Sequence, residues 1–227
     1  MEPNFRDDKA RSIQWAQTIL ANKPDAVIID TETTGLGDAD QIVQIGIIDM
    51  AGNVLLDALV KPTIAIPPGA TAVHHIGAEA VIHALAWPTL YPAVDRLLRG
   101  AYVITYNADY DRRMIVQTCQ AHTLPEIQAN VWDCAMRAYA SFWGSWNDYR
   151  MSYAWQKLTD ACKQQNIPVV GAHGAVGDCQ MTLALIHKMA ETRIEAEESS
   201  PNIFEDGADQ WAIDPDEGDR QRKGENA

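Results

Sequence analysis

Four apolar residues, Ala26-Val27-Ile28-Ile29, run directly into Asp30-Thr31-Glu32. A short unbroken apolar run is what a central strand needs when both of its faces are covered. Side chains two apart on a strand point the same way. Asp30 and Glu32 therefore place two carboxylates together where a buried strand ends. Carboxylates that converge beside an apolar core repel each other and lose hydration, so they need a cation or a shared proton. A solvated strand end with a helix cap at Thr33 or Thr34 is the other arrangement these residues permit.

The surrounding pattern sets this strand in an α/β fold. Ile13, Ala16, Ile19 and Leu20 recur at helical spacing, so residues 6–22 read as an amphipathic helix that Pro24 and Asp25 end. Residues 42–49 and 53–60 are β-rich runs joined at hairpin spacing through Met50-Ala51-Gly52. A Pro- and Gly-rich loop, 62–69, precedes an alternation of helices and strands: helix 88–98, strand 101–106, helix 108–121 with Asn107 at its N-cap, and a short strand at 131–132. Helices near 134–142, 151–165 and 178–194 follow. A three-strand meander followed by alternating elements predicts a mixed sheet of about five strands flanked by helices. From Glu195 the periodicity fails. Residues 195–227 read as a disordered acidic tail, with a partner-binding motif at Ile203-Phe204 or Trp211-Ile213 as the alternative.

Composition limits the classes of function. The formal charge of −13 argues, taken whole, against a chain that coats nucleic acid with basic surface. The charge is uneven, however: residues 195–227 carry −8 of it and the body only −5. No apolar run reaches the ~18 residues of a membrane span, and Met1 to Lys9 has no signal-peptide h-region. Cys119, Cys134, Cys162 and Cys179 form neither a C-x-x-C pair nor a zinc spacing, so they read as buried free thiols of a cytoplasmic protein.

Two further segments carry chemistry. Tyr106-Asn107-Ala108-Asp109-Tyr110-Asp111 lies where a strand meets a helix, and first-turn acids there also serve the helix dipole. His173-Gly174-Ala175-Val176-Gly177-Asp178 enters the last helix of the body; its glycines lack the G-x-G-x-x-G spacing of a dinucleotide site. In order along the chain, the three segments resemble the motifs of the DnaQ-like, DEDDh 3′–5′ exonuclease family. Asp30 to Leu36 matches the first motif along its length. Asn107 to Asp111 matches the second, with Tyr110 where Phe is usual, and His173 to Asp178 matches the third. Ala72-Val73-His74-His75-Ile76 resembles the family's V-H-G-I loop, with His75 in place of Gly. The resemblance spans roughly Ala26 to Glu191.

The resemblance implies an RNase H-like fold over 26–194, with 1–25 as a helical extension. It implies hydrolysis of nucleic acid from its 3′ end to nucleoside 5′-monophosphates. Asp30, Glu32, Asp111 and Asp178 would bind two divalent ions, Mg²⁺ or Mn²⁺, and His173 would be the general base. Thr33, Thr34 and Leu36 would meet the terminal nucleotide, framed by Val73, His74, Asn107 and Tyr110; plain core packing is the other reading of Val73 and Leu36. Arg112, Arg113, Arg137, Arg150 and Lys157 stand as phosphate contacts or solvated charges. Phe142-Trp143-Gly144-Ser145-Trp146 stands as a base-stacking platform or a core corner. DNA 3′ ends are the expected partner. An exoribonuclease of the same fold, or a non-catalytic interaction module, is the alternative. The tail is the place for a protein partner, and no membrane is expected.

Overall fold

The computed structural model describes residues 3–194, which apart from Ile194 belong to one compact unit. The acidic stretch 195–227 lies outside the described residues. Helix α1 (Phe5–Asn22) begins on an Asn4 cap, whose side chain accepts from the Asp7 N–H. Three strands follow, β1 (Val27–Thr33), β2 (Ile42–Asp49) and β3 (Val54–Lys61), then α2 (Pro68–His74), α3 (Ala78–Val81), β4 (Leu85–Ala86) and α4 (Trp87–Leu98). The chain continues through β5 (Tyr102–Thr105), α5 (Ala108–Ala121), β6 (Val131–Cys134), α6 (Ala135–Trp143), β7 (Trp146–Asn147), β8 (Ser152–Tyr153), α7 (Leu158–Gln164) and α8 (Ala175–Glu191).

The main sheet has six strands in the order β4-β3-β2-β1-β5-β6. The expectation of about five strands missed β4, a two-residue edge strand parallel to β3. β1 is antiparallel to β2 and parallel to β5, which is parallel to β6. β1 therefore sits in the middle, and its apolar run is divided between two cores. Ile28 joins Ile48 and Ile104 beneath α1, α6, α7 and α8. Val27 and Ile29 join Ile45, Ile47 and Val103 beneath α4 and α5. Full burial of each such side chain contributes roughly 1.5–3 kcal/mol.

α1 packs on α6 and α8 through Ile13, Ala16 and Ile19, so it completes the core rather than standing off it. Among the described residues no helix is long and apolar enough to cross a membrane. All four cysteines are free and buried.

Three local expectations need correction. The segment 62–69 is not loop throughout, because Pro68 occupies the first turn of α2, where a missing N–H costs nothing. The helix expected over 151–165 begins only at Leu158. Before it, Tyr153 pairs with Trp146, and the Tyr106 hydroxyl holds the Gln156 carbonyl at 2.7 Å, so tertiary contacts keep 152–157 out of a helix. The last helix begins at Ala175, which puts Asp178 in its first turn rather than at its start.

Candidate active site

β1 presents Asp30 and Glu32 on one face, as its two-residue period requires. α8 brings Asp178 to that face. One oxygen from each of the three carboxylates lies within 4.8 Å of the others. The close approach depends on Gly46, which is Asp30's register partner on β2. A Cβ at Gly46 would stand 2.7 Å from the Ala175 carbonyl carbon and the Val176 nitrogen. The Ala175 N–H also donates to Gln44 Oε1 at 3.3 Å, which fastens the start of α8 to β2.

Asp111 is not part of this three-carboxylate cluster. It is only 3% exposed, and its two oxygens accept from Thr31 Oγ1 and Thr105 Oγ1, both at 2.8 Å. Asn107 takes the N-cap position of α5, but its side chain makes no cap bond.

The electrostatics of the four carboxyls follow first from burial, with neighbouring carboxylates adding to it at Asp30 and Glu32. Burial holds Asp30 well above the usual carboxylate range, and the charges of Asp111, Asp178 and Glu32 raise it further. Glu32 is pushed up to about 7, by burial first and then by Asp178 and Asp111. Burial also raises Asp111, against the hydroxyls of Thr31 and Thr105. Asp178 is raised by burial, opposed by the backbone N–H of His173. Four carboxyls with raised pKa values in one place are the signature of a site that wants positive charge.

The donors present suit a hard divalent ion, because they are all oxygen. The neighbouring thiol of Cys179 is turned away, towards the carbonyls of Ile28 and Gly46 at 3.6 and 3.5 Å.

His173 is exposed and adopts a left-handed backbone conformation, with φ of 64°. Its backbone N–H donates to Asp178 Oδ1 at 3.3 Å, which ties the loop to the carboxylate cluster. Gly171 and Gly177 approach so closely that a Cβ at Gly177 would overlap the Gly171 carbonyl. The pinch sets the loop's path and leaves the histidine on its outside.

On the other side of the cluster the hydroxyls of Thr33 and Tyr110 meet at 2.5 Å, and both reach the Gly35 carbonyl, at 2.9 and 3.2 Å. His74 is buried. Its Nδ1 accepts from the Ile76 N–H at 3.0 Å, so Nε2 carries the proton and donates to the Thr33 carbonyl at 3.1 Å. Burial lowers its pKa, which keeps that neutral form. Leu36 is 78% exposed and Val73 52%, so neither is core. Thr34 is buried, its hydroxyl donating to Asp40 Oδ1 at 2.6 Å.

The RNase T family model, described as an exonuclease, matches residues 27–186. The chain belongs to the DnaQ-like 3′–5′ exonuclease family. Within it, the chain is 42% identical over 177 residues to the uncharacterized exonuclease CP81 of Escherichia phage 186, a match covering 74% of this chain and 89% of that one. It is 27% identical to DNA polymerase III subunit epsilon of Treponema pallidum, over 70% of this chain and 74% of that protein. Exonuclease X, solved in complex with 5′ overhanging duplex DNA, is 27% identical with a TM-score of 0.54, covering 76% of this chain and 95% of that one. Exonuclease I of E. coli, solved with a dT13 oligonucleotide, is 19% identical with a TM-score of 0.59. This likeness is one of fold, and it covers 74% of this chain but 41% of that one. α1 precedes the family-matched residues altogether.

Sequence reasoning missed the residues that hold the acids rather than the acids themselves. Thr105 lies in no motif, and Thr31, inside the first motif, was given no role. Gly46 did leave a signal, since a lone glycine inside a strand marks a bulge or a close backbone approach.

Proposed function

We propose that this exonuclease is a DEDDh enzyme that removes nucleotides from the 3′ end of DNA, single-stranded or frayed, with divalent metal. The observation that carries the reading is the convergence of Asp30, Glu32 and Asp178, with Asp111 anchored behind them by two threonines. Asp30, Glu32, Asp111 and Asp178 would hold two Mg²⁺ or Mn²⁺ ions, which when bound acidify a water and neutralise charge on the departing oxygen.

The chain's own residues do the rest. His173 takes a proton from the attacking water as the water's oxygen bonds to phosphorus. The P–O3′ bond breaks, leaving a strand one residue shorter with a 3′ hydroxyl and a nucleoside 5′-monophosphate. Thr33 meets the terminal sugar; Thr34, fully buried with its hydroxyl on Asp40 and its N–H on the Gln41 carbonyl, does not reach it. Leu36 and Val73, apolar and exposed, flank its base with Tyr110, while His74 holds the Thr33 carbonyl in place and Asn107 offers an amide left free by the helix cap. DNA is preferred to RNA in this reading; the DNA bound by exonuclease X, at 27% identity, supports it. The four free buried thiols support a reducing, cytoplasmic setting.

The test is a matched pair of DNA and RNA oligonucleotides labelled at the 3′ end, incubated with Mg²⁺, Mn²⁺ or EDTA. Labelled mononucleotide released from DNA only with metal is the expected result. Equal or greater release from RNA, or release in EDTA, overturns the corresponding part of the proposal.

A further inference from the structure

The aromatic excursion between α6 and α7 is not used by the chemistry above. Its base is rigid. Trp146 packs edge-on against Tyr153 at 5.1 Å, Phe5 of α1 packs on Tyr153 at 6.0 Å, and the Tyr153 hydroxyl donates to Asp8 Oδ2 at 2.6 Å. Phe142 is buried beneath it, so that end of the stretch is a core corner.

The outer residues behave differently. Tyr149 is 96% exposed and Trp155 64%. Large aromatic surface held in water on a rigid support marks a binding surface. Arg150 and Lys157 alternate with these rings, and among the described residues neither forms an ion pair. Arg112, Arg113 and Arg137, by contrast, are each matched to a carboxylate.

The excursion is also fastened to the active-site rim. Tyr106, whose hydroxyl holds the Gln156 carbonyl, immediately precedes Asn107 and the helix that carries Asp111. Gln156 is gripped a second time, its Oε1 accepting from Gln164 Nε2 at 3.0 Å. Trp155 and Lys157 are the two neighbours of this doubly held residue.

From these observations we infer that the excursion is a stacking platform for unpaired nucleotides beyond the first one 5′ of the scissile phosphate, with Trp155 and Tyr149 receiving bases and Arg150 and Lys157 receiving phosphates. Rings stack on any base because every base has a π-face, so the platform adds grip without sequence preference. Unpaired cations among the rings match a chain of phosphates, whereas a purely apolar partner would leave them unsatisfied. The inference rests on the polynucleotide substrate proposed above.

The test uses the full chain and two lengths of substrate. One is a thymidine dinucleotide, which ends before the platform. The other is an end-labelled oligothymidylate of about 12 nucleotides, within the site sizes of single-strand binders. Its affinity is read by fluorescence anisotropy with Ca²⁺ in place of Mg²⁺. The paired change Tyr149→Ala with Trp155→Ala is expected to weaken the long oligonucleotide by about 10-fold or more, while leaving turnover of the dinucleotide unchanged. Trp155→Phe should recover most of the loss. Arg150→Ala with Lys157→Ala should flatten the slope of log affinity against log salt by about 1.4.

Unchanged affinity for the long oligonucleotide overturns the inference, as does an equal loss on both substrates. If affinity is unchanged but the double variant no longer self-associates in sedimentation, the rings belong to an interface between copies and the inference is wrong. Failure of the wild-type chain to hydrolyse either substrate counts against the proposed function instead, and the affinity comparison still decides the platform.

Discussion

Replacing Gly46 with Ala tests how the site is assembled, because it leaves every acidic side chain in place. The added Cβ would stand 2.7 Å from the Ala175 carbonyl carbon and the Val176 nitrogen, and 3.0 Å from the Ala175 oxygen. Non-bonded carbons settle at about 3.5–4.0 Å, so the start of α8 must retreat by roughly 1 Å. The obstructing atoms are backbone, and no change of rotamer relieves them. Asp178 lies in the same turn of α8 and moves with it, away from Asp30 and Glu32. A misplacement of about 1 Å costs about 10²-fold in rate, and overpacking costs about 1–3 kcal/mol of stability. Release of mononucleotide from a 3′-labelled oligonucleotide, measured across a metal titration, should show both a lower kcat and a higher metal concentration at half activity. Gly69→Ala is the control, since a Cβ there meets nothing within 4 Å. Wild-type kcat and melting temperature in Gly46→Ala would refute the argument that this glycine sets the position of Asp178.

Other expectations follow from the same site. His173→Ala should lower kcat by about 10²–10⁴-fold while metal still raises the melting temperature, because the proposed mechanism gives the histidine the proton and not the ion; unchanged kcat would remove its role. Thr105→Val deletes one donor to Asp111, so its carboxyl rises further. Activity that needs the ionised form should then fall off about one unit earlier on the acid side of the pH–rate profile. The metal-free protein should lose stability as pH rises. Glu32 titrates at about 7 in the fold against an ordinary 4.5, so between those values the folded state holds a proton that the unfolded chain has released. Thermal melts in EDTA between pH 5 and pH 8 check the sign, and Mn²⁺ should raise the melting temperature more at the upper end.

The acids were legible in the sequence because each lies where a local pattern breaks. Asp30 and Glu32 end an apolar run, Asp111 follows a strand-to-helix junction, and Asp178 lies in the first turn of a helix after a glycine-rich loop. The supporting residues were not legible, because their work exists only across the fold. Thr31 and Thr105 come from adjacent parallel strands and meet on Asp111 of α5. Gly46 matters only because α8, more than a hundred residues later, lies against it. Residues 151–157 misled for a related reason. Their composition permits a helix, but Tyr153 is claimed by Trp146 and Phe5, and Gln156 by Tyr106. The excursion's exposed rings were hidden in the same way, since exposure is a property of what fails to cover a residue.

The acidic composition also reads differently once the site is placed. Of the net charge of −13, −8 lies in residues 195–227, and the body's acids include the three clustered carboxylates with Asp111 beside them. The net charge therefore gathers in a candidate metal site and in the acidic segment 195–227, and is a poor guide to whether the body binds nucleic acid.

The most direct test of the account is a single-stranded DNA labelled at its 5′ end, digested with Mn²⁺ and resolved at single-nucleotide length. The account predicts a ladder that shortens from the 3′ end, vanishes in EDTA, and is abolished by Asp178→Asn in a chain that remains folded. Immediate release of the 5′ label as a mononucleotide, or an undiminished ladder without metal, would contradict it.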